Sequence, residues 1–213
     1  MVGHGALAGH CRAAAQLFAL DGDDVVLQFA PHVVDTALEQ ILPTLMAGAR
    51  LVLRDGPVAT AESFRRFLAE QRVSVADLPP AYLREVLLAW RDDVAMPESL
   101  RLVIVGGEAL SPDTVRLWRA GPLASVRLIN AYGPTEATIT ALAHEVRDAP
   151  GGAIPIGRPL PGTEIRILDG DGNPVPEGVV GELCIGGDRL ALGYHRRPEL
   201  TAATFAAAAD GTR

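Results

Sequence analysis

From Val25 to Ile129, apolar residues at helical spacing alternate with short, β-branched runs. That alternation narrows the fold more than any other feature, because it is the pattern of helices interleaved with parallel strands in an α/β protein. Strands are expected at Val25 to Phe29, Arg50 to Leu53, Val73 to Ala76, Leu102 to Val105 and Val126 to Ile129, each bounded by charged, Gly or Pro residues. Helices are expected between them. Asp35 to Ala47 carries Leu38, Ile41, Leu42 and Leu45 on one face, and Thr60 to Gln71 groups Phe64, Phe67 and Leu68. Ser111, Pro112 and Asp113 read as the N-cap, N1 proline and first-turn acid of a helix running through Trp118.

After about Ala143 the character changes: Pro and Gly become frequent and strands follow one another without helices between them. A second, all-β unit is expected there, dividing the chain into residues 1–142 and 143–213. Thr163 to Leu168 and Gly181 to Ile185 are expected to form a hairpin across the stretch that begins Asp169-Gly170-Asp171-Gly172-Asn173-Pro174. This stretch is similar to a calcium loop but has Pro174 where that loop needs Gly and Val180 where it needs a bidentate Glu, so it is read as a turn. The Ala-rich end, Ala206 to Ala209, is the one biased segment.

Composition removes several functions. All 19 basic residues of the 213 are Arg, so chemistry that needs a Lys amine, including a Schiff base or a GxxxxGK[ST] phosphate loop, is absent from this chain. The net charge is −7 with the Arg residues scattered, which disfavours nucleic acid as a partner. Apolar runs such as Leu102 to Val105 are far too short to span a bilayer, so no membrane association is expected and a cytoplasmic location is. Cys11 and Cys184 belong to no metal or redox motif and are read as buried thiols.

Ligands of open α/β sheets collect at the carboxyl ends of strands. Three such ends are unusual here. One carries Gly106-Gly107-Glu108, one carries Asn130-Ala131-Tyr132-Gly133-Pro134-Thr135-Glu136, and one leads to Asp35 at a helix start. Each has a plain alternative: a tight turn, loop punctuation with Thr135 as a helix cap, and an N-cap. Together they suit a purine against a glycine-lined wall, with a hydroxyl and a carboxylate for a phosphate and its magnesium.

The same residues resemble a known family, the adenylate-forming (AMP-binding) ligases, and in particular the amino-acid adenylation domains of nonribosomal peptide synthetases. NAYGPTE (Asn130 to Glu136) is similar to the family's adenine and magnesium motif, and GELCIGGDRLALGYHRRPELTAATF (Gly181 to Phe205) to its long second motif. Leu78 to Tyr82 and Gly107 to Pro112 also fit. The resemblance implies the partial N-terminal core of such an enzyme, a parallel-sheet layer plus the start of a β-barrel subdomain. It implies that Tyr132 stacks on adenine, that Gly107, Glu108, Asn130 and Gly133 frame the nucleotide, that Thr135 meets the phosphate and that Glu136 binds magnesium. ATP and magnesium would then make an aminoacyl adenylate, to be passed to phosphopantetheine on a peptidyl carrier domain.

The resemblance also implies a substrate pocket lined by Asp35, Thr36, Glu39, Asp77, Ile104, Gly106, Ala131, Ile139 and Thr140, with Asp35 pairing the substrate α-ammonium. Glu39 lies four residues after Asp35 on one helix face, and Asp77 ends a neighbouring strand. Two like charges in a confined site call for a cation between them, so the expected substrate is lysine, ornithine or a β-amino relative, the plain alternative being that Glu39 and Asp77 point to water. The family's phosphate loop would fall just before residue 1, its ribose-binding Asp and Lys-bearing lid after residue 213, with Met1 as an internal methionine of a longer frame. No adenylation activity by the 213 residues alone and poor solubility from cut edges are therefore expected. The alternatives are an inactive relic or a part completed in trans, and an acyl-CoA ligase branch, against which Asp35 argues.

Overall fold

The computed structural model describes residues 1–54, 56, 60–91, 96–148 and 151–205; the Ala206 to Ala209 run and the expectations for residues up to 213 lie outside them. In chain order the elements are α1 (His4–Phe18), β1 (Val25–Gln28), α2 (Thr36–Met46), β2 (Arg50–Leu53), α3 (Ala61–Gln71), β3 (Val75–Leu78), α4 (Pro80–Ala89) and β4 (Leu102–Val105). They continue with α5 (Pro112–Ala120), β5 (Arg127–Tyr132), β6 (Leu142–Glu145), β7 (Arg158–Pro159), β8 (Glu164–Leu168), β9 (Glu182–Gly186) and α6 (Pro198–Thr204). The first seven strands form one sheet in the order β2-β1-β3-β4-β5-β6-β7, parallel from β2 through β5 and antiparallel at β6 and β7.

Successive side chains of a strand point to opposite faces, and the central strands here bury both. On one face Leu27, Ala76, Val103, Val105 and Leu128 pack under α3, α4 and α5, with Phe29, Phe64, Tyr82 and Trp90 in mutual ring contact. On the other, Val26, Val75, Leu102, Ile104, Ile129 and Ala131 meet Ala14 and Phe18 of α1. The result is a three-layer α/β fold. Ser111 caps α5 by accepting from the Thr114 amide, as the sequence leads one to expect.

Two strands are displaced from their expected positions. β3 begins at Val75 because Val73 is taken up closing α3, its amide donating to the Leu68 carbonyl after Arg72 turns left-handed. β5 runs on to Tyr132 because β6 folds back along it, pairing Tyr132 with Leu142, so Asn130 to Tyr132 are strand and not loop. β6 and β7 thus continue the first sheet past residue 143, while β8 and β9 pair separately as the expected hairpin. Asp169 closes its turn by accepting from the amides of Asp171 and Asn173. No closed barrel forms among the described residues.

The apolar stripe of α2 does not face the core. Leu38 and Leu45 are 44% and 58% exposed, Ile41 and Leu42 half-buried, while Ala37, Glu39, Gln40, Pro43 and Thr44 are inside. The reason is a backbone need: the Gln40 carboxamide oxygen accepts from the Phe29 and Ala30 amides, which leave the end of β1 without strand partners. Cys11 is buried as expected, but Cys184 on β9 is only partly so. Among the described residues no helix is long and apolar enough to cross a membrane.

At the amino ends of the strands, Asp24 accepts from Arg101 Nε at 2.8 Å and from Ser74 Oγ at 2.7 Å, while Arg101 also binds the Phe18 and Ala19 carbonyls. Burial alone would raise the Asp24 carboxyl; the Arg101 and Ser74 hydrogen bonds outweigh it and hold it below its usual range. A depressed carboxyl adds stability above its unfolded value and loses it as pH falls through the folded one. Asp24→Asn should therefore cost roughly 3 kcal/mol at pH 7 in urea denaturation. As pH falls below about 4 the gap between variant and parent should begin to narrow, closing only below the depressed folded value.

Candidate functional site

The pleat decides which strand residues share the site. Asp77 follows Val75 by two positions, Ile104 follows Leu102, and Ala131 follows Ile129, so all three point toward α1 and α2. Register sets Asp77 opposite Ile104 and Ile104 opposite Ile129, with Ala131 two residues further along β5. Gly106, two residues further, lies so close that a Cβ there would sit 3.0 Å from the Ala131 carbonyl oxygen.

Asp77 is 7% exposed and accepts from Gln40 Nε2 at 3.1 Å. It shares with Glu39, Thr44, Ile104 and Phe18 a cavity of about 10 Å³, room for a single water. Burial, with the neighbouring Glu39 charge as second cause, pushes the Asp77 carboxyl up to about 7, and the Gln40 hydrogen bond offsets only part of this.

Glu39 is itself buried. Its Oε1 accepts from Thr140 Oγ1 at 3.1 Å. Its Oε2 lies 2.8 Å from His10 Nε2, an ion-pair distance, although the direction falls short of hydrogen-bond geometry and both atoms otherwise lack a partner. Beside Thr140, Thr138 and Ile139 are both β-branched, both buried and both at positive φ, 60° and 69°. Such residues avoid this region, so the turn carries strain. Two contacts hold it: Thr138 Oγ1 donates to the Arg189 carbonyl at 2.5 Å, and the Ile139 carbonyl presses on Gly133, where a Cβ would fall 1.8 Å from its oxygen.

The hydroxyl and the helix-start carboxylate meet directly. Thr135 Oγ1 donates to Asp35 Oδ2 at 2.6 Å, across 100 residues of chain. Asp35 sits at the N-cap position of α2 without a side-chain cap hydrogen bond, and Thr135 opens a short 3-10 turn whose cap position is Pro134. Glu136 accepts from the Tyr194 hydroxyl, which in turn raises the Tyr194 phenol above its usual range. Tyr132, 40% exposed, stands at the end of β5 beside a second cavity of about 280 Å³ shared with Glu136, Cys184 and Phe205. Asn130 is buried and its amide donates to the Pro155 carbonyl at 2.8 Å.

Three of the expected residues are less engaged. Gly107, at φ 80°, and Glu108 are exposed at the end of β4, and Thr36 is half-buried; neither the Glu108 nor the Thr36 side chain hydrogen-bonds among the described residues. Four residues that sequence reasoning gave no role take part: His10, Gln40, Arg189 and Tyr194. Arg189 and Tyr194 lie within the motif from Gly181 to Phe205, which was the available signal; His10 and Gln40 gave none.

Two outcomes follow for the free chain. An acid whose folded value is raised costs stability as pH climbs from its unfolded value through the folded one. Asp77→Asn should therefore match the parent near pH 4 and exceed it by on the order of 2–4 kcal/mol at pH 8 in chemical denaturation. Gly133→Ala should lose about 3 kcal/mol or more through overpacking against the Ile139 carbonyl. Gly107→Ala, with open space around it, should lose only about 1 kcal/mol from its left-handed backbone, and thermal melts of the two would rank them.

Residues 1–195 match the family described as AMP-binding enzyme. The chain is 41% identical over 210 residues to the isonitrile lipopeptide synthase of Streptomyces coeruleorubidus, covering 96% of this chain and 14% of that one. It is 41% identical over 206 residues to novobiocin biosynthesis protein H of Streptomyces niveus, covering 94% and 32%. The crystal structure of the nonribosomal peptide synthetase FmoA3 superposes with a TM-score of 0.91 at 26% identity, over 100% of this chain and 23% of that one. The chain thus spans a third or less of the length of these relatives. By this match the chain belongs to the AMP-binding enzyme family, as part of an adenylation domain of the nonribosomal peptide synthetase kind.

Proposed function

We propose that this chain is the central part of an ATP-dependent amino-acid ligase, and that its pocket takes a basic amino acid of the lysine or ornithine type. The observation that carries the reading is Asp77: a buried carboxylate at a strand end, beside a second carboxylate, with an amide as its hydrogen-bond partner and no ion pair among the described residues. A buried carboxylate left in this state is costly, and a substrate ammonium would complete it. The small cavity would have to open to admit a four-carbon stem.

In this reading Asp35 receives the α-ammonium. The Thr135 hydroxyl now donates to Asp35, and an ammonium arriving there would compete for that oxygen, freeing the hydroxyl to donate to the α-phosphate. Amino-acid and nucleotide binding would thereby be coupled through one proton donor. The substrate carboxylate then attacks the α-phosphorus, a P–O bond forms, and pyrophosphate leaves with the electron pair of the bond that breaks. Tyr132 offers a face for adenine, framed by Gly107, Glu108, Asn130 and Gly133, while Thr36, Gly106, Ala131, Ile139 and Thr140 would complete the amino-acid pocket with Ile104.

Magnesium fits the residues present. Glu136 has one oxygen on the Tyr194 hydroxyl and a second for a hard cation, and magnesium commonly takes one or two carboxylates plus substrate phosphates. When bound it would neutralise charge on the leaving pyrophosphate. We further propose a peptidyl carrier domain, bearing phosphopantetheine, as the partner that receives the aminoacyl group. Residues 1–142 would form the nucleotide and amino-acid part, with residues 143–213 beginning the barrel subdomain.

The test is thermal stabilisation of the chain by non-hydrolysable aminoacyl-adenylate analogues. At one hundred times its dissociation constant a ligand adds about 2.7 kcal/mol, so a lysyl analogue should raise the midpoint well above a leucyl one. Asp77→Asn should erase the difference. Equal stabilisation by both analogues would refute the basic-substrate reading.

A further inference from the structure

The two pocket carboxylates are not equivalent. Glu39, 3% exposed, is reached from α1 by His10 and from the segment after β9 by Arg189, which is 2% exposed. Arg189 Nη1 lies 3.2 Å from His10 Nδ1 and also donates to the Thr140 carbonyl at 3.1 Å; Nη2 binds Thr163 Oγ1 and the Ala141 carbonyl. A guanidinium can only donate, so His10 Nδ1 must accept, and the single proton of the imidazole then sits on Nε2, 2.8 Å from Glu39 Oε2 though off the hydrogen-bond line. The order is cation, neutral ring, anion. Arg189 is thus a buried positive charge matched to Glu39 through the imidazole, with the Thr140 hydroxyl completing the carboxylate.

Asp77 receives none of this: its partner is the Gln40 amide. Cys11, next to His10, is a further titratable group on this face, and burial followed by the Glu39 charge keeps its thiol raised and neutral. We propose that Arg189 and His10 are specificity-determining residues that match Glu39 from behind the pocket, leaving Asp77 as the one carboxylate offered to a substrate cation. This rests on the basic-substrate reading for its consequence, which is that the pocket selects a side chain with one positive charge. It also ties the segment after β9 to amino-acid selection, because Arg189 donates to the carbonyl of Thr140, one of the residues expected to line the pocket.

The experiment uses the whole 213-residue chain. Nitrogen-15 spectra of His10 should show the Nε2–H tautomer, and a proton on Nδ1 would overturn the arrangement. Arg189→Met should lower the melting midpoint, and Glu39→Gln in the same chain should recover at least about half of the loss, since removing both members of a buried pair costs far less than removing one. No recovery would overturn the pairing, and that comparison stands even where the single variant folds poorly. Against the adenylate analogues, Arg189→Met should increase the lysyl advantage over leucyl about tenfold, because a second carboxylate becomes available. An unchanged ratio would overturn the specificity role. If the parent chain shows no lysyl advantage while tautomer and recovery are as expected, the substrate reading fails and the Arg189–His10–Glu39 pairing stands.

Discussion

A pleated parallel sheet gives each strand two faces and lets only every second residue reach either one. Here that constraint sends Asp77, Ile104 and Ile129, which are in register, and Ala131 two residues beyond, to the side covered by α1 and α2, while Leu78, Val105 and their neighbours seal the opposite side. Everything proposed for the site depends on this. A slip of one residue in β3 would bury Leu78 among the polar groups of α2 and push Asp77 into the aromatic core.

The site is built at the expense of stability. Glu39, Gln40 and Thr44 occupy the inward face of α2, where apolar side chains would pack more cheaply, and Leu38, Leu45 and Met46 are left outside. Asp77 is held where ionisation is disfavoured, and Thr138 and Ile139 adopt a backbone that their branched side chains resist. The hydrogen bond from Thr135 to Asp35 ties the loop after β5 to the start of α2, joining the residues proposed for phosphate to those proposed for the α-ammonium. Polar groups that cost stability and converge at strand ends are the mark of a site shaped for a ligand.

Much of this was legible in the sequence, and the rest was hidden for identifiable reasons. The strand and helix alternation, the Ser111 cap and the β8–β9 hairpin follow from local pattern, which needs no knowledge of distant contacts. The helix at α2 was legible too, but its orientation was not: periodicity finds the apolar stripe and cannot know that the end of β1 requires the Gln40 carboxamide. Asp35, Thr135, Tyr132 and Glu136 stood out as chemistry at strand ends. Glu39 was marked as a pocket carboxylate by the family resemblance alone; the groups around it, His10 on α1, Thr140 after β5 and, through His10, Arg189 after β9, are joined to it by no spacing rule. Long-range pairing of buried charge is the part of a fold that a single sequence conceals most fully.

The central claim is that one cleft holds both the amino acid and the α-phosphate, joined at Asp35 and Thr135. A crystal structure of the chain with a lysyl-adenylate analogue tests it most directly. The account predicts the α-ammonium within hydrogen-bond distance of Asp35, the Thr135 hydroxyl turned to the phosphate mimic, and the side-chain ammonium against Asp77. An analogue seated with its ammonium away from Asp35, or with its phosphate mimic remote from Thr135, would contradict it.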